Sequence, residues 1–257
     1  MGLRNGWLKL FVCLVIEYMP FQIVYRIKEE HCIFTPEEKF MAASGIPVGK
    51  EPIPESTAIL FRGGYCRKMS DFPTDSRSIN SAEAHINYLY LPRWYPFISD
   101  LTMETIFVND LDDEAILRIR DKGWSCAFVK DWIKAVAYPD LNDTVWPNSS
   151  MTEIKKRLVR GNQTLGFCLR KFVEPELLDN ETRFWVMNGN IYSSIAEPFP
   201  IVKEAVNRLK LLGGRIYVID ATPEVIIEIN PGDSADRGAK NTIEDFAGWI
   251  KKEFCSN

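Results

Sequence analysis

Asp220, Glu228 and Asn230 are oxygen-bearing side chains spaced so that two neighbouring β-strands would deliver them to one place. In the stretch VIDATPEVIIEINPG, Val218 to Gly232, a β-branched run ends at Asp220, Thr222-Pro223-Glu224 supply a turn, and Val225 to Ile229 form a second run. Side chains alternate along a strand, so Glu228 and Asn230 share a face while Ile227 and Ile229 turn to a core. Two carboxylates and an amide oxygen form a hard donor set. Such a set suits Mg²⁺, which keeps several waters and is commonly shared with nucleotide phosphates. The chemistry points to a nucleotide-using enzyme; the alternative is a polar-edged hairpin whose acids are simply solvated.

The chain has the means to hold such a site in place. Its 257 residues can bury one large core or two modest ones. With 46% apolar and 26% charged residues, a net charge of −4 and a pI near 5.4, it carries no basic footprint, which disfavours a nucleic-acid partner. The cluster Lys155-Lys156, Arg157 and Arg160 reads as a solvated helix face. Six scattered cysteines without a C-x-x-C pair read as reduced thiols in a cytoplasmic protein, and only His31 and His85 are present, too few for the usual Cys/His zinc spacing. The sequons at Asn142, Asn148, Asn162 and Asn180 are expected to be chance matches. The apolar run from Trp7 to Tyr25 is interrupted by Lys9, Glu17 and Pro20, and its longest clean piece, Leu10 to Ile16, falls short of the roughly 20 residues a bilayer needs. It is expected to be a buried strand and no membrane partner is expected, with attachment to a membrane surface as the alternative.

Along the chain, Gln22 to Ile27 and Ala58 to Phe61 read as strands, the second running into Arg62-Gly63-Gly64; Pro36 to Ala43 and Ser81 to Leu91 read as helices. A strand ending in a glycine turn before a helix is usual geometry for an α/β ligand-binding domain. Further on, Asp112 to Lys122 and Met151 to Arg160 are helical, while Ser125 to Val129, Ile133 to Val136 and Gly166 to Val173 are strands. Phe184 to Met187 and Ile191 to Tyr192 flank Asn188-Gly189-Asn190, a strong hairpin signal. Ile201 to Leu212 and Thr242 to Phe254 are the last helices.

In order, the chain presents FVKDWIKAV (Phe128 to Val136), FCLRKFVEPE (Phe167 to Glu176), ETRFWVMNGNIY (Glu181 to Tyr192) and then VIDATPEVIIEINPG. The series resembles the ATP-grasp superfamily. Within it, the series is similar to the clade named for two arginines and a lysine, whose members carry K-D-x-x-K on a strand, an arginine followed by an aromatic, an E-x-R-x-F hairpin and a closing D…E-x-N. LFRGGYCR (Leu60 to Arg67) and WYPFISDLTMET (Trp94 to Thr105) are similar to that clade's N-terminal part. The likeness spans about Leu60 to Asp233. It departs in two places: Lys171 stands where the clade usually has Glu, and the tail after E-x-N is GDSADRG rather than Ser-Gly.

The resemblance implies an α+β, ATP-grasp fold: an N-terminal α/β domain over residues 1–108, then an ATP-grasp domain over 109–257 whose two α+β subdomains enclose the nucleotide. It implies ATP and Mg²⁺ as cofactors, with Asp220, Glu228 and Asn230 on the metal. Lys130, Asp131 and Lys134 would serve the nucleotide, with the Lys130 ammonium on phosphates as a compact point charge. The backbone of Phe172, Val173 and Glu174 would hold the adenine edge, with Glu174 also on the ribose hydroxyls. Arg170 and Arg183 lie in apolar strands, where an unpaired guanidinium is expensive to bury. They need anions: a γ-phosphate, an acyl-phosphate or the metal-binding carboxylates on the catalytic reading, or a structural ion pair with Glu174, Glu181 or Asp220. Arg62 matches the clade's R-G and would bind the acceptor, or be a turn residue. The implied reaction joins a carboxylate to an amine or similar nucleophile (amino acid, peptide or protein) through an acyl-phosphate, releasing ADP. A kinase or nucleic-acid ligase on the same fold, or a non-catalytic nucleotide-binding protein of a conflict system or phage, are the alternatives.

Overall fold

The computed structural model describes residues 21–26, 34–133, 145–159, 165–174, 176 and 179–255. The N-terminal apolar run before residue 21, Lys134 and the rest of the strand expected from Ile133 to Val136 lie outside them. The first half contains β1 (Phe21–Arg26), α1 (Thr35–Ala43), β2 (Val48–Gly49), β3 (Ala58–Gly63), α2 (Ala82–Leu89), α3 (Leu91–Ile98), β4 (Thr105–Val108) and α4 (Asp113–Asp121). The second contains β5 (Ala127–Asp131), β6 (Val145–Trp146), α5 (Met151–Val159), β7 (Phe167–Lys171), β8 (Thr182–Met187), β9 (Asn190–Tyr192), α6 (Pro200–Leu209), β10 (Ile216–Ala221), β11 (Ile226–Pro231) and α7 (Ile243–Ile250).

Local chemistry explains several boundaries. The Ser81 hydroxyl accepts from the Ala84 N–H and the Asp112 carboxylate from the Ala115 N–H, satisfying donors that open α2 and α4. Thr242 and Asp245 form a reciprocal capping box on α7. Asn188 and Gly189 both take left-handed backbone, φ 50° and 85°, which gives the two-residue turn joining β8 to β9 the twist that antiparallel strands need.

The strands form a parallel sheet, β2-β1-β3, and two antiparallel sheets, β4-β7-β5-β6 and β11-β10-β8-β9. The last is covered on both sides because its residues alternate. Phe184, Val186, Tyr217, Ile219 and Ile229 pack against α2, α3 and α6, whereas Trp185, Met187, Ile216 and Val218 pack against β1, β3 and α7. Helices α4 and α5 cover the other antiparallel sheet around Ile119, Val129, Ile154 and Leu169. Strand β4 pairs with β7, Thr105 opposite Arg170 and Val108 opposite Phe167. Strand β4, within the stretch expected to close the N-terminal domain, thus finds its hydrogen bonds in the sheet of β5 and β7. Among the described residues no helix is long and apolar enough to cross a membrane.

Candidate active site

Three charged side chains stand in a row across the central sheet: Arg183 of β8 lies opposite Asp220 of β10, which lies opposite Glu228 of β11. Cross-strand partners share a face, so their charged ends meet. Arg183 grips Asp220 with both prongs of its fork, Nε donating to Oδ1 at 2.7 Å and Nη2 to Oδ2 at 2.8 Å, and Nη1 is bound by the Asp236 carboxylate. From the facing sheet, Lys130 near the end of β5 donates Nζ to Glu228 Oε1 at 3.0 Å. Arg170 of β7 also crosses: Nη1 donates to the Ile227 carbonyl at 2.7 Å and Nη2 to the Thr102 hydroxyl at 2.8 Å, while that hydroxyl donates to the Ile226 carbonyl at 2.7 Å. Cations from β5 and β7 thus fasten one sheet to the last strand of the other.

Asn230, two residues beyond Glu228 and opposite Val218, is 1% exposed, and neither its amide oxygen nor its amide nitrogen has a hydrogen-bond partner. A buried amide left this way costs about 1–3 kcal/mol, and this one lies two residues from the Glu228 carboxylate on the same strand face. Among the described residues no three His, Cys, Asp or Glu side chains form a closed cage. A set of two carboxylates and one amide is incomplete by itself. It fits Mg²⁺, which takes one or two carboxylates and fills its remaining positions with water and phosphate oxygens.

Burial and neighbouring charge set the protonation of the site. Burial alone would lower the Arg183 pKa, but Asp220 and Asp236 outweigh it and raise it. Arg170, buried and with no carboxylate on its fork among the described residues, is lowered by burial against the opposing pull of Glu228. Burial pushes the Asp131 carboxyl up to about 6 although Lys130 and Arg67 pull it down, and its Oδ1 has no hydrogen-bond partner.

The fold therefore assembles Lys130, Asp131, Arg170, Arg183, Asp220, Glu228 and Asn230 in one region. Phe172 and Val173 follow β7 as half-buried, irregular chain and Glu174 is exposed there. Of the three ion-pair partners weighed for Arg183, the one observed is Asp220. Two contributing residues escape sequence reasoning, Asp236 in the GDSADRG tail and Thr102 in LTMET; neither type nor spacing sets them apart.

Arg62, expected to bind the acceptor or to be a turn residue, is paired with Glu37. It is fully buried, with Nε and Nη2 donating to the two Glu37 oxygens at 2.9 and 2.8 Å and Nη1 to the carbonyls of Gly232 and Ala235. The guanidinium lies 4.7 Å over the Phe34 ring. Four of the five N–H donors of the guanidinium are thus engaged within the protein.

No family model and no curated protein matches the sequence. Solved structures do match, along nearly the whole chain. The RimK domain protein ATP-grasp from Sphaerobacter thermophilus DSM 20745 is similar at 13% identity and a TM-score of 0.60, over 91% of this chain and 100% of that one. D-cycloserine synthetase DcsG follows at 13% identity and 0.58, over 90% and 99%. ATP-grasp ligase PsnB, solved with a minimal precursor, matches at 13% identity and 0.57, over 92% and 99%. Two antiparallel sheets clasping a row of paired charges, and a likeness that runs from end to end, lead to one conclusion: the chain has the ATP-grasp fold.

Proposed function

We propose that this chain is a Mg²⁺-dependent, ADP-forming ligase of the clade named for two arginines and a lysine. It joins a carboxylate to an amine or similar nucleophile through an acyl-phosphate. The observation that carries the reading is Asn230, a buried amide without partners beside Asp220 and Glu228, faced across the sheets by Lys130. The chemistry follows by exchange of partners. Lys130 leaves Glu228 for nucleotide phosphates, and Glu228 is freed to join Asp220 and Asn230 as an oxygen ligand. Mg²⁺, when bound, supplies charge that neutralises the phosphates. Arg183 and Arg170 hold positive charge where the transferred phosphoryl group develops negative charge. Asp131 and the Phe172 to Glu174 segment serve the nucleotide, and Lys134 joins them in this proposal. Similar ligases support the reading: PsnB has been solved with minimal precursor, Mg and ADP, at 12% identity to this chain. The free thiols of Cys66, Cys126, Cys168 and Cys255 suit the proposed cytoplasmic location.

Calorimetry of Mg·ATP binding tests the metal set: Glu228→Ala with Asn230→Ala should weaken it at least about tenfold, and wild-type affinity in that variant would refute the assignment. Chromatography of the spent nucleotide tests the reaction. ADP is expected, only with carboxylate and nucleophile both present; AMP as the stoichiometric product would replace the acyl-phosphate route with an adenylate.

A further inference from the structure

Arg170 reaches out of β7 and is held at two points, by β11 of the facing sheet and by Thr102, which lies on the chain between α3 and β4. Thr102 is 8% exposed and belongs to a short stretch that runs beside β11: the Ile226 N–H donates to the Leu101 carbonyl at 2.8 Å, and Thr102 forms a parallel bridge with Ile226. A threonine hydroxyl has one proton to give and two lone pairs with which to accept. Here the proton goes to the Ile226 carbonyl at 2.7 Å, which leaves the lone pairs for the Arg170 Nη2 donor at 2.8 Å. The direction of that hydroxyl is therefore set by β11, the strand that carries Glu228 and Asn230. With Nη1 also donating to the Ile227 carbonyl at 2.7 Å, the planar fork is fixed through both of its prongs. Its third nitrogen is left over: Nε is buried without a hydrogen-bond partner, in a side chain 3% exposed and within reach of the Glu228 charge. A donor left this way costs about 1–3 kcal/mol, which an anion reaching it would recover.

We propose that Thr102 is a positioning residue: by tying the Arg170 fork to β11 it holds the guanidinium in register with Glu228 and Asn230, so that Arg170 acts on the phosphoryl group during transfer rather than on nucleotide in the ground state. The proposal rests on the phosphoryl-transfer part of the reading above and specifies what orients one of its two arginines. Valine keeps the branched shape of threonine and lacks the hydroxyl, so Thr102→Val separates orientation from packing.

The test uses the full chain and three measurements: calorimetry of Mg·ATP, calorimetry of Mg·ADP with aluminium fluoride as a mimic of the transferring phosphoryl group, and ADP release. Thr102→Val should bind Mg·ATP within about twofold of the wild type, bind the aluminium fluoride complex at least about tenfold more weakly, and lose at least about tenfold in kcat with KM unchanged. Thr102→Ser, which keeps the hydroxyl, should restore both. In an Arg170→Met background, Thr102→Val should cause no further loss of kcat, because the threonine acts through the arginine. Should Thr102→Val or Arg170→Met fail to fold, Thr102→Cys, with a weak acceptor in place of the hydroxyl, and Arg170→Lys, without the fork, carry the same expectations. The proposal is overturned by equal losses of Mg·ATP and aluminium fluoride affinity, by a Thr102→Ser protein as impaired as Thr102→Val, by losses that add in the double variant, or by a wild-type protein that does not bind the mimic. A Thr102→Val protein changed only in melting temperature would likewise overturn it and make Thr102 structural. The aluminium fluoride arm needs no acceptor, so it decides whatever the nucleophile is. ADP release that needs no carboxylate but keeps the tenfold kcat loss would refute the ligase reading and uphold Thr102; carboxylate-dependent ADP release with unchanged kcat in Thr102→Val would do the reverse.

Discussion

Each acid of the site is held by a cation to which the proposed function gives a second use, on the nucleotide, and the two pairs should respond differently to truncation. Lys130 meets Glu228 through a single contact, so Lys130→Ala should keep the fold and weaken Mg·ATP binding at least about tenfold, as calorimetry would show. Arg183 meets a 2%-exposed Asp220 through two, so Arg183→Ala strips both contacts from a buried carboxylate and should destabilise by about 3–5 kcal/mol as well as lowering turnover. Adding Asp220→Asn should restore the melting temperature but not turnover. Activity that returned with stability would make Arg183 purely structural. Asp131 gives a pH signature. Its carboxyl, raised from 3.8 to about 6 by burial, binds its proton more tightly folded than unfolded. Stability therefore falls as pH rises from about 4 to 6, and the full penalty, up to about 3 kcal/mol, persists above 6. Asp131→Asn should flatten that stretch of the stability curve and melt higher at pH 7; an unchanged profile would show that the carboxyl is solvated. These residues were legible because alternation puts Glu228 and Asn230 on one face of a strand and the turn at Thr222 to Glu224 folds Asp220 back beside them. Arg62 was not: an arginine before Gly-Gly looks the same whether its anion is a substrate or Glu37, which lies 25 residues away.

Among elements, the β8–β9 hairpin shows what sequence can fix. Asn188-Gly189 is the pair most tolerant of left-handed backbone, and both residues adopt it. A Cβ on Gly189 would meet nothing within 4 Å, so substitution there isolates backbone conformation. Gly189→Ala should cost about 1 kcal/mol in urea unfolding, and Gly189→Asn less, because Asn tolerates positive φ. Equal losses would point to contacts rather than dihedral strain. Helix α3 shows the opposite case. With Pro92 and Pro96 in the stretch Leu91–Ile98, local preference argues against a helix. Pro92 sits in the first turn, where no N–H is missed, and burial of Leu91, Trp94 and Ile98 in the central core outweighs the break at Pro96. Such tertiary override leaves no periodic trace in so short a segment. Strand β4 is similar: its four residues become a strand through β7, some sixty residues further along.

At the scale of the whole molecule, the parallel sheet is seated on the central sheet through one shared core, and the Arg62–Glu37 pair lies in that seam. The motif order announced the overall fold, since four segments in sequence constrain a topology that none fixes alone. The seam stayed hidden because it joins residues far apart in the chain, Phe21, Ile23 and Leu60 against Trp185, Val218 and Phe246. Within it, Glu37 is 2% exposed and also accepts from the Tyr25 hydroxyl at 2.9 Å. Arg62→Ala should therefore destabilise by about 3–5 kcal/mol, the usual result of stranding a buried charge. Replacing the pair as a unit, Arg62→Met with Glu37→Gln, removes both charges, retains an acceptor for Tyr25 and should recover most of that loss. Below the melting transition both proteins should bind Mg·ATP as the wild type does, because the hydrogen-bond partners of Arg62, Glu37 and the carbonyls of Gly232 and Ala235, are not among the residues proposed to hold nucleotide or metal. Melting curves and calorimetry on the same samples decide the matter. An Arg62→Ala protein that keeps its melting temperature but loses carboxylate-dependent turnover would return Arg62 to the substrate.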